Sequence, residues 1–251
     1  MFHFLRRSKI VLDCFTWRPD VITKSPIASA MTHVPEWWKK LPKGYEDPGG
    51  LYPIGTMKQC YGFNQYYAKS IALPMWSDLN IKIGPDGDFI WQFSDGFSEA
   101  SIHNAKQWGG FLDASRYAHL RLISPWVFKT KTDLNWVWSH PVYNFKNPEQ
   151  FIVLPGLIEF KHQLATNINI VFDSTVPRNI EIGFNQVMAH LTPMTDKKVE
   201  VRRHLITLQE YEGKNLSNSN STFINKYGAN KKAREKFNNC PFINHKNKAI
   251  K

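Results

Sequence analysis

The clearest hydrophobic pattern in the chain lies between residues 152 and 193, where short apolar runs alternate with turn-forming residues. Pro155-Gly156, Pro177 and Gly183 interrupt these runs. A strand needs only a handful of residues and a breaker at its end, so this pattern is typical of antiparallel β proteins. It predicts a mainly β fold, namely a single antiparallel jelly-roll or cupin-like barrel with a few short helices and an extended C-terminal tail.

A hairpin is the sharpest local prediction. Apolar and polar residues alternate through residues 81–93 on both sides of a Gly-Pro-Asp-Gly-Asp turn at 84–88. Because a strand repeats every two residues, Phe89, Trp91 and Phe93 are expected to share one face. The Gly/Pro-rich segment 43–56 predicts a flexible loop or a lid.

The remaining predicted elements are short and irregularly spaced. Strands are expected at 9–17, 119–129, 134–138 and 199–208, with Ser124-Pro125-Trp126 as a bulge or an edge. Short helical segments are expected at 25–31, 35–42, 100–108 and 231–237.

The amino-acid composition predicts a sizeable hydrophobic core. Of 251 residues, 42% are hydrophobic and 14% aromatic, which excludes a globally disordered chain. No apolar run approaches the roughly 18 residues of a membrane helix, and the basic N-terminus lacks the apolar stretch of a signal peptide. Cys14, Cys60 and Cys240 are too widely spaced to indicate a disulfide framework or a zinc knuckle. We therefore expect a cytoplasmic protein without membrane contact.

Net charge divides the chain into two parts. Residues 211–251 hold nine Lys or Arg against two Glu, which gives this tail +7 of the total +11. We accordingly predict a β domain over 1–210 and a basic, Asn/Lys-rich tail over 211–251. The tail is either an arm for an acidic partner or a polar extension strapped to its own domain. Without dense basic-aromatic interleaving, nucleic acid is not expected as a specific ligand. The partner-binding candidates in the tail are Lys231, Lys232, Arg234 and Lys236.

Strong catalytic signatures are missing. The chain has no phosphate loop, no dinucleotide-binding glycine motif, no His-Glu-x-x-His and no Gly-x-Ser-x-Gly. A non-haem iron site would use two His and one carboxylate, but His-x-Asp, His-x-Glu and His-x-His do not occur. A divalent metal bound by dispersed residues stays open as a cofactor, although no motif supports it.

Polar residues embedded in apolar or aromatic surroundings are the candidates for a pocket. His103 and Gln107 lie four apart, and His140 closes an aromatic strand. Gln186 and His190 share one face if their segment is a strand. Together these side chains could line a barrel mouth and supply proton transfer or ligand hydrogen bonds. The alternative is that each is a hydrogen-bonded core or rim residue.

Several short motifs resemble a group of proteins of unknown function encoded by large tailed phages of marine bacteria. The matching motifs are Pro-x-Trp-Trp-Lys-x-Leu-Pro at 35–42, Leu-Pro-x-Trp-x-Asp at 73–78, Ser-Pro-Trp at 124–126, Leu-Pro-Gly-x-Ile-Glu at 154–159 and Cys-Pro-Phe at 240–242. The chain is also similar to bacterial domains with a cupin-like strand order. The resemblance implies a phage-encoded β protein and assigns no catalytic residues.

Two functions follow as hypotheses. The first is a β-barrel protein of the host cytosol that binds a small molecule or peptide at its mouth, with a metal-dependent reaction as an extension. It predicts a concave apolar pocket with converging polar groups. The second is a virion structural or assembly protein that uses its β domain and its basic tail for contacts with further copies of itself or with a capsid partner, and it has no deep pocket. It predicts scattered histidines and aromatic patches at interfaces.

Overall fold

The computed structural model describes residues 9–50, 52–146 and 150–219, together with Gly228, Ala229, Lys231, Lys232 and Lys236. The described residues up to 219 are mainly β, with seventeen strands and four short α-helices. None of the helices in the described part of the chain combines the length and the apolar character needed to cross a membrane. The helices are α1 Pro19–Lys24, α2 Glu36–Lys40, α3 Tyr61–Lys69 and α4 Leu208–Ser219. The strands are β1 Ile10–Thr16, β2 Ala28–Ser29, β3 Gly44–Tyr45, β4 Ile54–Gly55, β5 Ile71–Pro74, β6 Leu79–Ile83, β7 Phe89–Phe93, β8 Glu99–Ile102, β9 Tyr117–Ile123, β10 Trp126–Lys129, β11 Trp136–Ser139, β12 Ile152–Val153, β13 Gly156–Ile158, β14 Ile168–Asp173, β15 Arg178–Ile182, β16 Val187–Pro193 and β17 Val199–Leu205.

The strands form several open sheets instead of one closed barrel. Across the described residues the strand orders are β10-β1-β17, β13-β11-β16-β5-β2, β12-β14-β9-β8, β15-β6-β7 and the small pair β3-β4. Most neighbours are antiparallel, but β1 and β17 pair in parallel along their whole length. The mainly β class is confirmed, and the expectation of purely antiparallel pairing is wrong at this strand pair.

A proline explains one of the divisions between sheets. The single strand predicted at 119–129 is two strands, because β9 ends at Ile123 and β10 begins at Trp126 in another sheet. Pro125 has no backbone N–H to give to a ladder. The Ser124 N–H donates to Asn167 Oδ1 at 3.2 Å, and the Trp126 N–H donates to Ser124 Oγ at 3.2 Å. Side chains thus satisfy the backbone where the chain changes sheet.

One hydrophobic core connects the four larger sheets. Its fully buried members include Leu12 of β1, Leu73 of β5, Ile81 of β6, Leu120 of β9 and Trp136 of β11. Burial of such side chains is the main stabilising term in a fold of this kind. The sheets are therefore held together by shared apolar side chains even though their ladders are separate.

The local predictions have mixed outcomes. The hairpin is confirmed as β6–β7, with Ile81 opposite Trp91, and α2 confirms the helical turns at 35–42. The helix predicted at 25–31 is wrong, because Ala28 and Ser29 pair with β5 and a 3-10 turn follows at Ala30–His33. The segment 43–56 contains the short antiparallel pair β3–β4.

The predicted boundary at residue 211 falls inside α4. The Tyr211 side chain is buried, and its hydroxyl donates to the Ser124 carbonyl oxygen at 2.6 Å. Tyr211 packs with Val127 and Leu164. The first turns of the predicted tail are thus packed on the β domain.

Candidate ligand-binding site

A cavity of about 670 Å³ lies against the four-stranded sheet β12-β14-β9-β8. Its floor is the sheet face opposite the main core. In β9, Leu120 and Leu122 point into the core, whereas His119, Arg121 and Ile123 alternate with them and line the cavity. The strict two-residue period of the strand therefore separates core side chains from site side chains.

Arg121 lies at the centre of this floor. It pairs with Asn169 on β14 and with Ser101 on β8. The Arg121 Nε–H donates to Ser101 Oγ at 3.1 Å, which orients the guanidinium across the sheet. Asn167 and Asn169 add carboxamide groups next to it.

The cavity has a positive electrostatic character. Its lining includes Arg121 and the carboxamides of Gln163, Asn167, Asn169 and Asn215, but no Asp or Glu. Among the residues that the structure describes, no carboxylate forms an ion pair with Arg121. A half-buried guanidinium that pairs with no described carboxylate is free to form charge-assisted hydrogen bonds with an anionic ligand. The arrangement therefore favours an anion.

His119 is held as a neutral imidazole. Its Nδ1 accepts from the Trp108 indole N–H at 3.2 Å, and since an indole nitrogen only donates, this Nδ1 carries no proton. The proton is then on Nε2, 3.2 Å from Asn169 Oδ1. Burial, followed by the repulsion of His103, lowers the pKa of His119 to about 4. Near neutral pH this ring contributes hydrogen bonds and no charge.

His103 and Gln107 form the rim beside this ring. His103 Nδ1 lies 2.7 Å from Gln107 Oε1, so these two predicted residues are brought together. The His103 ring stacks on His119 with 4.3 Å between ring centroids. His103, His119 and Trp108 thus form a continuous wall of flat rings on one side of the cavity.

The opposite wall is apolar. It consists of Trp138 of β11 and the segment from Leu154 to Ile158, which leads into and includes β13. The cavity is therefore amphipathic, with a cationic and carboxamide floor between a wall of aromatic rings and an apolar wall. Such a combination is typical of small-molecule sites.

His140 lies outside the residues that line this cavity. The Val153 N–H donates to His140 Nδ1 at 3.2 Å, and the ring stacks on Phe145 at 5.1 Å. Burial lowers the pKa of His140. It is a packed residue that joins β12 to the end of β11.

His190 and Gln186 also lie apart from the cavity. His190 is fully buried, with Nδ1 at 2.9 Å from the Tyr66 hydroxyl, and burial lowers its pKa to about 3. Gln186 closes a turn, because its Oε1 accepts from the Gly183 N–H at 3.0 Å. The five predicted pocket residues are thus distributed over three places, and only His103 with its partner Gln107 adjoins the cavity.

The predicted tail residues are only partly described. Lys231 Nζ lies 3.2 Å from Glu159 Oε2, so this part of the tail contacts its own domain. The side chains of Lys232 and Lys236 are exposed, and Arg234 lies outside the described residues.

The sequence did not point to four residues of the site, namely Trp108, His119, Arg121 and Asn169. The signal was the alternation of His119 and Arg121 with Ala118, Leu120 and Leu122, which a half-buried strand with a functional outer face would show. Asn167 and Asn169 alternate with apolar residues in the same way. Only the pairing of β9 with β14 makes the two patterns one site.

Comparison with known proteins adds no assignment. The chain matches no model of a known protein family, and it matches no curated protein. The basis for a function is therefore the geometry and charge of the cavity.

Proposed function

We propose that this protein binds a small organic anion in the cavity on the outer face of the β9–β14 sheet. The observation that carries the proposal is Arg121, a partly buried guanidinium without a described carboxylate partner in a cavity lined by carboxamides and rings. The ligand is an organic acid, with a carboxylate or phosphate group attached to an apolar or planar body.

Each wall has a distinct part in this proposal. Arg121 supplies a charge-assisted, two-pronged contact to the acid group, for which a guanidinium is well suited. Asn167 and Asn169 supply neutral hydrogen bonds beside it. The body of the ligand lies between the ring wall at Trp108 and the apolar wall at Trp138.

The test is a titration of the full chain with a panel of aromatic and aliphatic acids, each paired with its uncharged amide. We expect acids to bind about tenfold or more tightly than their amides, since one charge-assisted contact is worth about 1.4 kcal/mol or more. Arg121→Gln should remove this preference.

The matched control is Arg202→Gln, which removes an exposed arginine of β17 that pairs with Glu200. It should leave binding unchanged. Equal affinity for acids and amides, or an Arg121→Gln variant that still prefers acids, would contradict the proposal.

The cavity supports this proposal over the virion or assembly alternative, which predicts a surface without a deep pocket. The exposed rings of Tyr52, Tyr61 and Phe111 are the features that the alternative would use as contacts. The jelly-roll or cupin-like classification and the relation to phage proteins stay predictions.

A further inference from the structure

A second polar cluster lies outside the residues that line the cavity. It consists of Asp133 in the loop between β10 and β11, Glu159 directly after β13, and His162 in the following turn. One ligand atom of each residue lies within 4.8 Å of the other two. Among the described residues, it is the one group of three or more His, Cys, Asp or Glu side chains whose ligand atoms lie this close together. None of the three histidines predicted as pocket residues belongs to it.

The three side chains converge through specific atoms. His162 Nε2 lies 3.3 Å from Glu159 Oε1 and 3.9 Å from Asp133 Oδ1. The imidazole is 2% exposed and the Glu159 side chain 12%, whereas Asp133 is open to solvent. The cluster thus has a buried base and one accessible side through which an ion can enter.

Two lysines contact the other oxygens of the carboxylates. Lys161 Nζ lies 2.6 Å from Asp133 Oδ2, and Lys231 Nζ lies 3.2 Å from Glu159 Oε2. Each carboxylate therefore gives one oxygen to a lysine and turns the other toward His162. Hydrogen-bonded outer partners of this kind orient the ligands of metal sites.

The observed separations are close to those of metal ligands. With metal–ligand distances of about 2.1 Å, two adjacent ligands lie about 3.0 Å apart in an octahedron and about 3.4 Å apart in a tetrahedron. The separations of 3.3 and 3.9 Å need only small side-chain adjustments to reach this range.

The backbone preorganises two of the three ligands. The N–H groups of His162 and Gln163 donate to the Glu159 carbonyl oxygen at 3.0 and 2.9 Å, which closes a helix-like turn. Residues three apart in such a turn project to the same side. The sequence signal is the spacing Glu159-x-x-His162, completed by a carboxylate from a distant loop.

We propose that Asp133, Glu159 and His162 bind a divalent transition metal ion, with Zn²⁺ as the best match to one imidazole and two carboxylates. Imidazole favours Zn²⁺, Fe²⁺, Ni²⁺ or Cu²⁺ over Mg²⁺ and Ca²⁺, which prefer oxygen ligands. Water completes the coordination on the open side at Asp133. This site does not depend on the proposed anion cavity.

The ion links the β10–β11 loop to the segment that carries one wall of the cavity. Ile158 precedes Glu159 and Gln163 follows His162, and both line the cavity. Zn²⁺ binding is therefore expected to raise the thermal midpoint of the protein, because an ion that binds only the folded state stabilises it.

The test is calorimetric titration of the full, untagged and chelator-treated chain with ZnCl₂ and, separately, with MgCl₂. We expect one Zn²⁺ per chain and much weaker binding of Mg²⁺. Asp133→Asn and His162→Gln should each weaken Zn²⁺ binding by about tenfold or more. Because Asp133 is exposed, Asp133→Asn remains informative if His162→Gln does not fold.

The control is His204→Gln. His204 pairs with Asp13 at 2.8 Å, but these two residues belong to no described group of three possible metal ligands. This variant should bind Zn²⁺ as the unaltered protein does. Histidine-selective ¹⁵N NMR locates the ion independently, through a shift of the His162 ring nitrogen. The proposal would be overturned if the protein bound no stoichiometric Zn²⁺, or if Asp133→Asn left Zn²⁺ binding unchanged. The cluster would then be an ion-pair network only.

Discussion

Tyr66 of α3 and His190 of β16 form a polar pair between this helix and the five-stranded sheet. The Tyr66 hydroxyl lies 2.9 Å from His190 Nδ1 and 2.9 Å from Ser139 Oγ. Both rings pack edge to face with their neighbours. The hydroxyl therefore contacts the fully buried His190 ring and the half-buried Ser139 side chain.

We predict that Tyr66→Phe lowers the free energy of unfolding by about 1–3 kcal/mol, because a buried polar group loses its partner. Urea denaturation measures the change. Tyr61→Phe, on the same helix but 78% exposed, is the matched control and should have little effect. Equal effects of the two substitutions would show that the buried pair contributes nothing.

A single buried residue, His190, should also make the stability of the protein depend on pH. Burial lowers the pKa of His190 from 6.5 to about 3, so the unfolded chain binds a proton at this ring before the folded chain does. The contribution of His190 to the free energy of unfolding should therefore be fully present above pH 6.5 and decrease as the pH falls toward 3. The slope from this residue is up to about 1.4 kcal/mol per pH unit.

Denaturation of His190→Gln between pH 7 and pH 4 tests this assignment. The variant should lose less stability on acidification than the unaltered chain, although it starts from a lower value. Tyr61→Phe, which changes an exposed side chain and no histidine, should retain the original slope. An unchanged slope in His190→Gln would assign the acid sensitivity to other groups.

At the scale of elements, α4 is the clearest case of a segment that belongs to the β domain despite its polar sequence. Its only buried side chain within residues 208–215 is Tyr211, which packs on β10 and on the segment before β14. Burial raises the pKa of the Tyr211 phenol, consistent with an enclosed hydroxyl.

We predict that Tyr211→Ala costs about 3–5 kcal/mol of stability, because it removes a buried ring and the hydrogen bond to Ser124. Leu208→Ala, in the first turn of the same helix and largely exposed, should cost little. Thermal unfolding of both variants measures the difference. A small effect of Tyr211→Ala would mean that α4 is dispensable for the domain.

The elements also show which parts of the fold the sequence could predict. The β6–β7 hairpin was predictable because alternation and turn residues are local. The parallel pairing of β1 with β17 joins segments about 190 residues apart, and no local pattern encodes it. The helix predicted at 25–31 failed because pairing of Ala28 and Ser29 with β5 overrides local propensity.

At the scale of the whole molecule, the cavity exists only because distant segments meet. The rim around His103 and Trp108, the β9–β14 floor and the wall at Trp138 are separated along the chain. The sequence predicted His103 and Gln107 as site residues but not Arg121. An arginine in a strand is recognisable as a site residue only when its cross-strand neighbours, here Asn169 and Ser101, are known.

The cavity floor should tolerate removal of its charge. We predict that Arg121→Gln changes the free energy of unfolding by less than about 0.5 kcal/mol, because no described carboxylate loses an ion-pair partner. Urea denaturation of the variant measures this. A large loss of stability would instead assign Arg121 a structural role and weaken its assignment to a ligand.

A crystal structure of the protein with the tightest-binding acid from the panel would test anion binding at Arg121. We expect the acid group within hydrogen-bond distance of the Arg121 guanidinium, near Asn169, with the body of the ligand between Trp108 and Trp138. An acid bound elsewhere on the surface, or bound in the cavity with its charge turned away from Arg121, would contradict this expectation.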